Sequence, residues 1–254
     1  MVSKEQLYKF EENVVEWYKE GKLRSPVHLS GSIDGFLEDR LIEIFQNIKK
    51  QDWVFTTYRS HYHALLKGVP EERLKQWILD NKSIHFMDSE YKMVSSAIVG
   101  GTLSMALGVA MSINNQRKKV GTTFGKPLEP RSEAEEELNK DMSVDADTHA
   151  DGHVYVFVGD MTSRTGVFWE VLNYAENHKL PISFIIEDNK LSTDTKTEEV
   201  WNSNNERYLD KLFTDYKKIE RIIPYTRKYP HYGCGFFVEF PEEKKELEQK
   251  GDSF

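Results

Sequence analysis

The sequence predicts an α/β fold built on a mostly parallel sheet flanked by helices. Three observations carry this expectation. Residues 153–158 form an apolar run (Val154, Tyr155, Val156, Phe157, Val158) stopped by Gly159 and Asp160, and residues 182–186 form a second run stopped by Glu187, Asp188 and Asn189. Between them, residues 166–177 place Val167, Trp169, Val171, Leu172 and Ala175 at helical spacing. A strand–helix–strand unit with a crossover of this length closes a parallel, right-handed connection.

The other elements follow in order. Residues 5–22 read as an amphipathic helix, with Leu7, Phe10, Val14, Trp17 and Tyr18 on one side and Gly21 as its stop. A second helix fits residues 35–50, and residues 53–58 are β-branched and aromatic enough for a strand. Pro70 and two glutamates open a helix over 70–79. Residues 95–113 are small and apolar nearly all round (Ala97, Gly100, Gly101, Ala106, Gly108, Ala110), which predicts a buried helix. Residues 117–152 open basic and turn acidic, and read as an exposed insertion with a short helix near Ala134. A helix over 205–217 and a strand over 235–240 complete the chain, read here as one domain spanning 1–254.

Composition excludes several classes. The 254 residues carry a formal charge of −8, which argues against broad nucleic-acid binding, since phosphate contacts need a basic surface. No apolar run is long enough to cross a bilayer, and residues 1–9 lack the layout of a signal peptide, so no membrane association is expected. The single cysteine, Cys234, leaves no internal disulfide framework and makes a reducing cytoplasm the simplest location.

The chemistry is expected at the strand ends. In a parallel sheet, ligands bind beyond the carboxyl ends of the strands. Asp160 and the pair Asp188–Asn189 fall at two such ends. A carboxylate and a side-chain amide are both oxygen donors and suit Mg²⁺ or Ca²⁺, of which Mg²⁺ keeps open positions for phosphate oxygens. The helix beginning near Gly166 would turn its positive end toward the same place. Taken singly, Asp160 as a helix cap and Asn189 as a turn residue are the simpler readings; the pair at matched strand ends favours a ligand site.

These residues carry a resemblance. Gly159, Asp160 and Met161, followed by Glu187, Asp188 and Asn189, resemble the thiamine diphosphate signature, in which G-D-G is followed some two dozen or more residues later by N-N. Tyr58, Arg59, Ser60 and His61 resemble the Y-R-x-H stretch of the alpha subunits of 2-oxoacid dehydrogenase first components, and residues 64–68 the A-L-x-x-G after it. Residues 96–101 are similar to that family's G-I-V-G-A segment, His28-Leu29-Ser30 to its early H-L-x, and residues 83–86 to its S-M-H-M. The pieces keep their order from about residue 28 to 200.

The resemblance implies a thiamine diphosphate-binding fold and a set of roles. Asp160, Asn189 and the backbone carbonyl of Leu191 would ligate Mg²⁺. Arg59 would pair with the diphosphate and Tyr58 would hydrogen-bond it, with Gly159, Met161 and Thr162 close by. Backbone groups of Ala97 and Val99 would meet the aminopyrimidine, and His28 and His61 would face the substrate as catalytic groups. The resemblance also implies a beta-type subunit carrying the pyrimidine domain, an α2β2 assembly, a lipoyl-bearing acyltransferase as acceptor, and a small 2-oxoacid as substrate. A chain of this length has no room for the pyrimidine domain beside the one already read, so it is expected to be inactive alone, with apolar surface on the 100–110 helix meeting another subunit.

Two departures stand out. Met161 replaces the second glycine of G-D-G, where glycine lets backbone approach the diphosphate, and Asp188 replaces the first asparagine of N-N. His231 is the one candidate for the family's late active-site histidine. Trp169-Glu170 and Asp188-Asn189 also fit a transketolase-like amino-terminal subunit, against which Tyr58-Arg59 weighs. A third alternative is a degenerate, non-catalytic partner in which Met161 blocks the diphosphate.

Overall fold

The computed structural model describes residues 2–25, 27–121, 151–229 and 231. The first helix, α1 (Lys4–Lys19), starts with a capping box. Ser3 Oγ accepts from Gln6 N, and Gln6 Oε1 accepts from Ser3 N. It ends where the sequence signals: Gly21 takes φ +70°, and Lys22 N returns to Trp17 O at 3.0 Å. α2 (Phe36–Phe45) stops before residue 50. Asn47 N and Ile48 N reach back only three residues, to Ile44 O and Phe45 O, so the last turn tightens and the helix does not continue.

β1 (Trp53–Thr56) is followed by α3 (His61–Leu66), which sequence periodicity does not reveal, and by α4 (Glu71–Leu79), with Pro70 as its cap. Two short strands, β2 (Phe86–Asp88) and β3 (Met93–Ser95), form an antiparallel pair. After α5 (Gly101–Gly121) come β4 (Val154–Gly159), a 3₁₀ turn (Thr162–Arg164), α6 (Gly166–Asn177) and β5 (Ile182–Asp188). The small hairpin β6 (Leu191–Ser192) and β7 (Thr195–Lys196) leads through α7 (Thr197–Trp201) and α8 (Asn205–Asp215) to β8 (Ile219–Pro224).

The main sheet has the order β2-β3-β1-β4-β5-β8. All pairings are parallel except β2 with β3. Val156 stands level with Phe55 on one side and Phe184 on the other. Alternation along β4 and β5 splits the core in two. Val154, Val156, Val158, Ile182, Phe184 and Ile186 pack with α5, α6 and α8, while Phe157 and Ile185 face α1 to α4. Fully burying side chains of this size is worth roughly 1.5–3 kcal/mol each, so both faces hold the sheet.

Three expectations need correction. The small-residue helix does not begin at 95: Ser95 ends β3, residues 96–100 turn, and the helix starts at Gly101. Gly100 makes that turn possible, at φ +75° and with Val167 Cγ1 only 2.9 Å from where a Cβ would stand. The helix is also not buried all round. Leu103, Ala106, Ala110 and Ile113 face the core, but Met105 and Met111 are exposed. Finally, α5 runs on through Arg117 to Gly121, so the 117–152 stretch opens as helix. The helix near Ala134, Cys234 and the 235–240 strand lie outside the described residues. No helix among the described residues is long and apolar enough to cross a membrane.

Candidate functional site

Because β1, β3, β4, β5 and β8 run parallel, their carboxyl ends share one edge of the sheet. The chain leaves β1 toward β3 on one side and returns through α5 to β4 on the other, so a crevice opens between the ends of β1 and β4. A cavity occupies it. Tyr58 and Arg59 line it after β1, Val99 after β3, Gly159 to Thr162 at the end of β4, and Asn189 and Leu191 after β5. The sheet thus gathers residues far apart in sequence that the motif reading had singled out. Ala97 is exposed beside the lining residues Ser96 and Ile98.

The β4–β5 side is a hydrogen-bonded carboxylate network. Asp160 is buried, and its Oδ2 accepts from Thr197 Oγ1 at 2.6 Å. Asn205 Nδ2 donates to Asp188 Oδ1 at 3.1 Å and more distantly to Asp160 Oδ2 at 3.4 Å. Burial first, then the Asp188 charge, pushes the Asp160 carboxyl up to about 7 against the pull of Thr197. Burial likewise raises Asp188. Asn189 Oδ1 accepts from Leu191 N at 2.9 Å, a local turn that keeps the amide oxygen's second lone pair free. Lys190 between them takes φ +61°.

The β1 side is cationic and aromatic. Arg59 is buried, its guanidinium carbon 5.0 Å from the Tyr58 ring centroid and its Nη2 3.2 Å from His231 Nδ1. Among the described residues no carboxylate pairs with Arg59, and its Nε has no hydrogen-bond partner. His28 lies against Tyr58 and His231, ring centroids 4.4 and 5.0 Å away. Burial, then the charges of Arg59 and His231, hold the His28 imidazole down to about 3, so it is neutral at physiological pH. Tertiary pairing brings these ends together. Ile33 N donates to Thr226 O and Lys228 N to Gly31 O, which ties the His28 loop to the segment leading to His231.

His61 sits elsewhere. It is fully buried, edge-on to Phe10, with Nε2 3.0 Å from Ser83 Oγ, and it does not line the cavity. The N-terminus of α6 is capped by its own Thr165, whose hydroxyl accepts from Phe168 N. The 3₁₀ turn therefore stands between α6 and the cavity, and Thr162 is its residue at the lining. Met161 takes φ −64°, an ordinary conformation for any residue, and its sulfur accepts from Trp201 Nε1 at 3.0 Å.

Sequence reading did not single out Glu187 or Tyr225, which line the cavity, or Thr197 and Asn205, which hold Asp160. Glu187 was visible only as a strand-end residue. Thr197 and Asn205 carry no signal of their own, because their partners lie 37 and 45 residues away.

The residues fit a cation-bound diphosphate. A buried, carboxylate-free arginine faces oxygen donors across one cavity, and a Cβ built on Gly159, itself at the lining, would meet no atom within 4 Å, which leaves room over the end of β4. Among the described residues no three His, Cys, Asp or Glu side chains gather to hold a metal. A cation here would therefore rest on the carboxylate, amide and carbonyl oxygens, the donor chemistry of Mg²⁺ rather than Zn²⁺.

Fold and site together define an α/β protein with a cavity at the carboxyl edge of its mostly parallel sheet. The chain belongs to the dehydrogenase E1 component family, whose model matches residues 7–211. It is 28% identical over 190 residues to the chloroplastic pyruvate dehydrogenase E1 component subunit alpha-3 of Arabidopsis thaliana, covering 71% of this chain and 37% of the relative. It is 27% identical over 192 residues to the pyruvate dehydrogenase E1 component subunit alpha of Porphyra purpurea (71% and 47%). It is 24% identical over 190 residues to the alpha subunit of acetoin:2,6-dichlorophenolindophenol oxidoreductase of Bacillus subtilis (71% and 46%). The chain spans less than half the length of these relatives.

Proposed function

We propose that this chain is the alpha-type, diphosphate-binding subunit of a thiamine diphosphate- and Mg²⁺-dependent 2-oxoacid dehydrogenase. One observation carries the reading: buried Arg59, without a carboxylate partner, faces Asp160, Asn189 and Leu191 across a single cavity. Thiamine diphosphate supplies the carbanion chemistry needed to decarboxylate a 2-oxoacid. The chain's own residues bind and orient it. Arg59 takes diphosphate oxygens through a planar fork of donors, and Tyr58 adds a hydroxyl beside it. Asp160 Oδ1, Asn189 Oδ1 and the Leu191 carbonyl hold Mg²⁺. Backbone at 97–99 meets the aminopyrimidine. An anion on Arg59 would offset its charge, which stands second to burial among the causes that depress His28. His28 rather than His61 is then the group of this chain poised to hold or move a proton at the substrate.

The ring-activating partner is a beta-type subunit carrying the pyrimidine domain, in an α2β2 assembly, with a lipoyl-bearing acyltransferase as acceptor. The exposed apolar residues at the cavity, Ile98 (71% exposed) and Val99 (58%), and Met105 and Met111 on α5, support such a partner, since exposed apolar surface is what an interface covers. The single cysteine favours a reducing, cytoplasmic location. Tyr58 and Arg59 at the cavity weigh toward the dehydrogenase over a transketolase-like subunit, and the unstrained Met161, turned to Trp201, weighs against a degenerate, blocked site.

The test has two steps. Calorimetry should show thiamine diphosphate binding to the chain that requires Mg²⁺. Decarboxylation of a 2-oxoacid, followed with a dye acceptor, should appear only after adding a subunit with the pyrimidine domain. Turnover by the rigorously purified single chain would overturn the partner requirement.

A further inference from the structure

Asp160 does not stand alone, and what holds it is unusual in its charge. Two buried carboxylates, Asp160 and Asp188, share one side-chain amide. That amide belongs to Asn205, itself buried at the first turn of α8. Its orientation is fixed from the other side. Asn205 Oδ1 accepts from Arg164 Nη2 at 3.0 Å and from Nε at 3.3 Å. Turning the amide over would set its NH₂ group against a guanidinium and its oxygen against two carboxylates. Only one orientation satisfies every neighbour. Arg164 is anchored in turn by Ser203 Oγ at 3.0 Å and lies over the Tyr208 ring, 4.0 Å from its centroid. Asn205 N donates to Glu198 Oε1 at 3.0 Å, which fixes the backbone as well.

We propose that Asn205, locked by Arg164, is a positioning residue that ties Asp188 to Asp160 and so aims Asp160 at the Mg²⁺ of thiamine diphosphate. This rests on the function proposed above. Asn205 cannot itself be a ligand, because its oxygen is occupied by Arg164 and its nitrogen is a donor. Its work is to let two like charges sit side by side. The N-N signature has an amide where this chain has Asp188; here Asn205 brings an amide to Asp188 from another element. Without it the two carboxylates would repel, and Asp160 would keep Thr197 and the backbone groups of residues 160 and 161 but lose its tie to Asp188. The arrangement also leaves a second carboxylate, Asp188, behind the cation site.

The experiment moves the amide across the pair. Mg²⁺-dependent thiamine diphosphate binding to the full chain is measured by calorimetry for wild type, Asn205→Asp, Asp188→Asn and the double variant. Asn205→Asp brings three carboxylates together without a donor and should weaken binding by about tenfold or more. The double variant sets a carboxylate against Arg164 and an amide at position 188, and should recover to within about threefold of wild type. A residue that merely supports the fold would show no such recovery. Binding by Asn205→Asp within about twofold of wild type, or a double variant no better than it, overturns the proposal. Should Asn205→Asp fail to fold, Arg164→Met frees the amide without adding charge. It too should lose affinity, and an unchanged affinity again overturns the proposal. Wild-type chain that binds no thiamine diphosphate in the presence of Mg²⁺ sinks the functional reading itself. Tight wild-type binding with an indifferent Asn205→Asp sinks only this inference.

Discussion

The two walls of the cavity are built on opposite principles. Around Asp160 the side chains hold one another: Thr197, Asn205, Asp188 and Arg164 form a hydrogen-bonded chain. Around Arg59, groups are left over: Arg59 Nε and His28 Nδ1 are buried and unpartnered, with aromatic rings packed beside them. A buried polar group without a partner costs about 1–3 kcal/mol, more for a charge. One wall is therefore braced by the chain's own side chains, and the other is left with unpartnered donors, which the proposed function assigns to an anion. The carboxylate wall needs its oxygens fixed before a cation arrives, since a carboxylate pair left loose would swing apart. The cationic wall needs only a depth that water screens poorly.

The sharpest way to break this comparison is Asp160→Ala. It removes the fixed oxygen and should abolish Mg²⁺-dependent thiamine diphosphate binding by calorimetry. The fold should survive, because Asp160 belongs to neither apolar core. Unchanged affinity would mean that the carboxylate wall holds no cation.

Arg59→Ala comes next and tests the cationic wall. Removing a charge-assisted contact should cost about 1.5–3 kcal/mol of diphosphate binding. Arg59→Lys should restore only part of this, because lysine lacks the paired donors. Full rescue by lysine would show that a point charge is all the site uses.

A smaller effect is expected where the cationic wall is hung. Glu11 is fully buried and accepts from Ser30 N, Gly31 N at 3.0 Å and Tyr62 Oη at 2.9 Å, which fixes the loop that carries His28. Burial, against those hydrogen bonds, pushes its carboxyl up to about 7 from 4.5. With the folded value above the unfolded one, the folded state holds the extra proton. Its contribution is complete below pH 4.5 and is lost as pH rises through 7. Glu11→Gln leaves one donor without an acceptor and should cost about 1–2 kcal/mol at low pH. The gap to wild type should narrow as pH rises, read from urea unfolding at a series of pH values. A constant gap would mean that Glu11 does not titrate on folding.

The smallest effect separates the walls from their rim. Met161→Ala keeps the backbone conformation and removes the contact with Trp201 together with a side chain at the cavity lining. Thiamine diphosphate affinity should move by less than about 0.5 kcal/mol, because the Met161 sulfur is engaged by Trp201 and its side chain carries no charge for the ligand. A tenfold gain in affinity on removing the side chain would instead show that Met161 obstructs the diphosphate.

Elements with a strong internal period were legible in advance. α1, α6, β4 and β5 appear within a few residues of where apolar spacing puts them, and α6 at the same bounds. Short or charged elements were not. β2 and β3 are each three residues, and β8 carries Glu220 and Arg221 because it lies at the sheet's edge. α3 is a single short helix whose residues, His61 to Leu65, are all buried, so it shows no amphipathic stripe. At the site, Arg59, Asp160 and Asn189 were legible because they end strands or sit in a recognisable run. Asn205 was not, since a buried asparagine at a helix start looks like a cap until its partners are seen.

What the sequence determined by itself was local: where apolar residues recur at helical or strand spacing, where the chain must stop, and which residue types stand at the ends of β4 and β5. Backbone geometry and side-chain burial act over a few residues, so they are written in order along the chain. Only the tertiary structure decided which of two histidines, His28 and His61, packs against the cavity residue Tyr58, and that the Met161 sulfur engages Trp201. Only it joined Asp160 to Thr197, Asn205 and, through them, Arg164. Those choices depend on parallel strands carrying distant segments to one edge of a sheet, where hydrogen bonds too short-ranged to act along the extended chain are made across it.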